Sequence, residues 1–154
     1  MKTSYPSPIE FAVLAYCLWQ ASDLPISWLH APLVRYAWIA FIIWCIPTLW
    51  HMSRSLLDNT PKGYSPYLLA AAITASLLGS LGSLHLLRHL GLAFAIGGIV
   101  PFHYSTLIWM ATAIAWLPGF GWMIKSLPLT IIPIIQIVIA AVGSCTMILS
   151  LRRS

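Results

Sequence analysis

Charge is the scarcest thing in this sequence. Its 154 residues include three Asp+Glu and eight Lys+Arg, 7% charged in all, against 60% hydrophobic residues. A water-soluble domain carries roughly a quarter charged residues, so a surface wetted on every side is excluded. Lipid is the solvent that suits such a composition. With so few carboxylates, a general acid–base pair or a proton relay has little to be built from.

Cysteine is sparse as well. Cys17, Cys45 and Cys145 are an odd number, all within apolar runs, and no Cys-x-x-Cys or Cys-x-x-Cys-His occurs. Neither a disulfide framework nor a c-type haem attachment is indicated. Buried small apolar side chains are what these positions predict. A cleavable signal is not indicated either, because the first apolar run leads into further runs and reads as a retained span.

What is present is one apolar run after another, with eight Trp and six Tyr that suit the headgroup level. The formal charge of +5 is spread between the runs. It therefore sets orientation against anionic lipid rather than binding nucleic acid. The pattern predicts an all-α integral membrane helical bundle in a single domain, 1–154. It has about six transmembrane helices, with five as the alternative.

The predicted helices run over about Pro8–Ser22, Pro32–His51, Pro66–Gly82, His85–Val100, Ser105–Leu117 and Pro128–Leu151. Ser7, Pro8 and Glu10 form a helix-start signal with a capping box, and Asp23 and Pro25 close the first helix. Residues 26–32 read as an interfacial connection, Ser53–Ser65 as a polar loop, and 118–122 as a turn or re-entrant corner. Pro47 and Pro133 predict bends. A hairpin at Gly82–Leu84 splits what would otherwise be one overlong helix. Six crossings place Lys2, Arg54, Lys62, Arg152 and Arg153 on the side of both termini, and Arg35, Arg88 and Lys125 on the other. That bias predicts cytoplasmic termini in a bacterial inner membrane.

His85 and His89 are four apart with Arg88 beside them, so all share one helix face. Two readings stand. The cluster faces water or lipid phosphate at the headgroup boundary, or one imidazole ligates a tetrapyrrole pigment or haem in an apolar slot. A metal shell is disfavoured, since no carboxylate is near in sequence. Asp23 and Asp58 need no special role as loop residues, Gln136 predicts an interhelical hydrogen bond, and Cys145 with Arg152 is the one candidate nucleophile–cation pair.

From about Leu68 to Cys145 the chain resembles the membrane core of the exosortase/archaeosortase family. The resemblance lies in Leu90-Gly91-Leu92-Ala93, Gly97-Gly98 and Trp116-Leu117-Pro118-Gly119-Phe120-Gly121-Trp122. It implies a membrane cysteine transpeptidase whose active site uses Cys, Arg and His in chain order. Cys145 matches the Cys loosely and Arg152 or Arg153 the Arg, but no His follows within these residues. The resemblance therefore implies a shortened or non-catalytic relative.

Three functions remain. The leading one is a non-catalytic accessory or scaffold subunit of a larger membrane complex, respiratory or photosynthetic in type, with other integral membrane subunits and lipids as partners. The small-residue positions Ala70, Ala71, Ala75, Gly79, Gly91, Gly97 and Gly98 suit helix–helix contact, part of it with a partner. The others are the transpeptidase and a small transporter or channel. The latter is weakened by the lack of paired broken helices.

Overall fold

In the computed structural model, which describes residues 8–57 and 65–153, every described element is helical. The helices are α1 (Pro8–Gln20), α2 (Leu24–His30), α3 (Ala37–Leu57), α4 (Pro66–Leu81), α5 (His85–Gly98), α6 (Tyr104–Ala111), α7 (Gly119–Met123) and α8 (Ile132–Arg153). Single 3-10 turns at Pro32–Val34 and Thr112–Ala115 join α2 to α3 and extend α6. Two stretches, Pro32–Ser55 and Ile132–Arg152, are long and apolar enough to cross a membrane, and Pro66–Leu81 and Tyr104–Ala115 are shorter apolar helices.

The structure departs from the predicted boundaries in four places. Residues 24–30 form a helix, because Pro25 falls in its first turn, where a proline costs no hydrogen bond. α3 runs on to Leu57, since Ser53 and Ser55 turn their hydroxyls back onto the Trp50 and Met52 carbonyls and need no water. The corner at 118–122 holds the short helix α7. α8 starts at Ile132, so Pro133 lies in its opening turn and demands no bend. The Ser7 cap, Asp58 and Lys62 lie outside the described residues.

The hairpin falls where the sequence places it. α4 ends at Leu81 and α5 begins at His85. The Leu84 amide donates to the Gly79 carbonyl at 2.8 Å and the Ser83 amide to the Ser80 carbonyl at 3.4 Å. These are the two bonds that satisfy the last carbonyls of a helix whose next residue turns left-handed. That residue is Ser83, at φ 52°, and not a glycine.

Side-chain pairing shows how the helices run. Cys17 meets Ser76 and Gln20 meets Ser80, so α1 runs parallel to α4. Gly79 abuts Arg88 and Gly98 abuts Leu69, so α4 and α5 are antiparallel. Ser144 bonds the Ile43 carbonyl and Arg152 lies over Trp50, so α8 runs parallel to α3. Ser105 bonds Ser150, so α6 opposes α8. The C-terminal ends of α1, α4 and α6 thus gather with the N-terminal ends of α3, α5 and α8.

The faces of α8 are sorted the opposite way from those of a helix in water. Ile134, Val138, Val142, Cys145 and Leu149 point outward, while Gln136, Ala140, Gly143 and Ser144 are buried. Water would pull the polar residues out, whereas lipid tolerates apolar side chains outside and rewards small or polar ones between helices. The core itself is held by tryptophan. Trp44 and Trp109 are fully buried and stacked at 4.4 Å, and each indole N–H donates to the other's backbone carbonyl, at 2.9 and 3.0 Å.

Candidate functional site

The ends of α1 and α5 meet at one polar cluster. Asp23 starts α2 in a helical conformation (φ −78°, ψ −12°) and makes no capping bond with its side chain. Its carboxylate is therefore available to α5. On α5, His85, Arg88 and His89 stand at positions i, i+3 and i+4 of one face. Gly79 lets this first turn approach α4, since a Cβ there would lie 2.8 Å from the Arg88 amide nitrogen.

Both imidazoles bind the same carboxylate. His85 Nδ1 is 2.7 Å from Asp23 Oδ2, and His89 Nε2 is 3.1 Å from Oδ1. Arg88 Nη2 stands 3.9 Å from Oδ2 and lies against the His85 ring. Burial pushes the Asp23 carboxyl up, but the hydrogen bonds from His85 and His89 outweigh it and hold it below its ordinary value. The two rings differ sharply in exposure. The His85 side chain is 64% exposed at the rim, whereas that of His89 is 2% exposed. A neutral imidazole that donates from Nε2 carries no proton on Nδ1, and His89 Nδ1 is buried with no hydrogen-bond partner in the protein.

The cluster forms one wall of a cavity of about 740 Å³. Asp23, Ser27, His30, His85 and His89 supply its polar atoms. The rest is apolar: Ile26, Leu33, Val34, Leu86, Pro118 and Trp122 among others. This is the usual make-up of a small-molecule site, apolar walls with a few convergent polar groups.

The sequence pairs His85 with His89 and Arg88, and the structure brings all three together. It corrects the reading of Asp23, which is the hub of the cluster rather than a loop residue without a role. Nothing in the sequence joins Asp23 to residues more than 60 positions away; packing of α1 on α5 does so. The other candidates do not join the cluster. Cys145 is exposed, against the expectation of a buried side chain, and Arg152 stacks over Trp50 at 5.4 Å. Gln136 is buried as predicted, but neither atom of its amide has a hydrogen-bond partner, so the expected interhelical bond is not made. Among the described residues no group of three or more His, Cys, Asp or Glu is arranged to hold a metal ion. No protein-family model matches this chain, and no curated protein or solved structure does so either.

Proposed function

We propose that the protein is an integral membrane bundle of six crossings, with both termini on the cytoplasmic side of a bacterial inner membrane. In that membrane it acts as a non-catalytic accessory subunit of a larger assembly. The observation that supports this is a mismatch of helix lengths. α3 and α8, of 21 and 22 residues, reach about 32 Å and match a hydrocarbon core of about 30 Å. α1, α4 and α5, of 13, 16 and 14 residues, reach only about 20–24 Å. Helices too short for the bilayer are relieved by thinning it or by packing against a partner. The exosortase-like stretches are compatible with this as a non-catalytic relative, since Cys145 lies on the outward face of α8.

Extraction from native membranes in mild detergent, followed by native mass spectrometry, tests the assembly. Stoichiometric association with larger membrane subunits is expected. A partner-free monomer across detergents would sink the accessory-subunit reading. Reporter fusions after Ser154 and between Ser53 and Ser65 should both report cytoplasm. A periplasmic signal at the C-terminus alone would favour five crossings.

A further inference from the structure

The two longest apolar helices end side by side, and each ends on an arginine. α3 and α8 run parallel, with Arg54 and Arg152 in their last turns. Both side chains are exposed. Their guanidinium carbons lie 5.0 and 5.4 Å from the centroid of a single ring, that of Trp50. Two cations on one ring are close enough, against a Debye length of about 10 Å, to act together on one anion. The indole holds each of them through its π face, but it has no net charge to set against theirs. A helix C-terminus carries about half a negative charge, so the two helix ends offset about one of the two positive charges. Among the described residues neither arginine forms an ion pair. About one positive charge is left, and a singly charged anion matches it.

Depth indicates which anion. α3 and α8 have the length of the hydrocarbon core, so their ends stand at the level of the lipid phosphates. Tryptophan is itself a residue of that level. A guanidinium offers phosphate oxygens a planar fork of donors and is weakly hydrated, which suits it to this boundary. A phosphodiester carries one negative charge, and in a zwitterionic lipid the ammonium of the headgroup cancels it. We propose that Arg54 and Arg152, held together by Trp50, bind the phosphate of an anionic phospholipid whose headgroup has no cation, such as phosphatidylglycerol. The inference rests on the reading of the chain as a membrane protein, and not on its assembly with other subunits.

The test is native mass spectrometry of the full chain, stripped of lipid in a non-ionic detergent. It is titrated with phosphatidylglycerol, with phosphatidylcholine of the same acyl chains, and with inorganic phosphate. The first phosphatidylglycerol should bind at least roughly tenfold tighter than phosphatidylcholine, at about fivefold for each guanidinium, and inorganic phosphate should not displace it. Arg54→Gln and Arg152→Gln should each lower that affinity about fivefold and leave phosphatidylcholine binding as it was. Lysine at either position keeps the charge without the fork and should retain most of the preference. Lys125→Gln removes an exposed charge over Trp122, ahead of the opposite end of α8, and should change nothing. Equal affinity for the two lipids, undiminished phosphatidylglycerol binding in the double glutamine variant, an equal loss in Lys125→Gln, or displacement by inorganic phosphate would each overturn the proposal. A chain that stays in solution without detergent would overturn the membrane reading as well.

Discussion

Pro47 shows how a residue that breaks helices survives inside one. It has no N–H, so the carbonyl of Ile43 loses its helical partner. In lipid no water replaces it. The Ser144 hydroxyl of α8 does, donating to that oxygen at 2.8 Å. Ser144→Ala should therefore lower stability by about 1–3 kcal/mol, read as thermal unfolding in detergent. In a Pro47→Ala background, where an amide is restored, the same substitution should cost much less. An equal cost in both backgrounds would show that Ser144 acts by packing instead. Ser83 is the converse case, a residue held in a conformation that L side chains resist. Ser83→Gly should raise stability by about 1 kcal/mol, measured the same way.

The α4–α5 hairpin is tight because glycines face bulk. A side chain at Gly91 would run into the Ser76 hydroxyl and lie 3.0 Å from the Ala72 carbonyl oxygen, and one at Gly98 would lie 2.7 Å from Leu69. Gly97 similarly faces Met110. These three positions serve helix–helix contact inside the fold. Gly91→Leu should destabilise the hairpin itself by about 1–3 kcal/mol, visible as a lower melting point of the isolated protein. At the junction of α1 and α5, Asp23 is expected to make stability depend on acid pH. Asp23 has its carboxyl held below the ordinary 3.8, so its contribution is complete above that value and fades as pH falls through the lower, folded one. Asp23→Asn should flatten the loss of melting temperature in that acid range. The turn between α4 and α5 is legible in the sequence because Gly82 and Ser83 are local breakers. α2 is not, because Asp23 and Pro25 end one helix and open the next with the same signal. The Asp23 partnership is not legible either, since it depends on how α1 packs.

The distribution of apolar side chains over the whole molecule argues for lipid more strongly than the length of any helix. Val138 is 53% exposed on the outer face of α8. A charge there should be tolerated if the surface meets water. In a bilayer, Val138→Arg should cost about 2.5–3.5 kcal/mol, seen as reduced membrane insertion. Unchanged insertion would contradict lipid contact at this face. That the chain is helical was readable from its succession of apolar runs, whereas the cavity was not, because its walls come from three separate stretches of chain. The hub of that cavity also bears on how the protein is made. Asp23 leaves the ribosome 62 positions ahead of His85, so the carboxylate is already synthesised when the cationic turn of α5 emerges. The natural order of translation thus delivers the counter-ion first. A permuted gene that encodes α1 after α8 would send the imidazoles and the guanidinium in with no anion waiting, and its product should accumulate to a lower level than the parent.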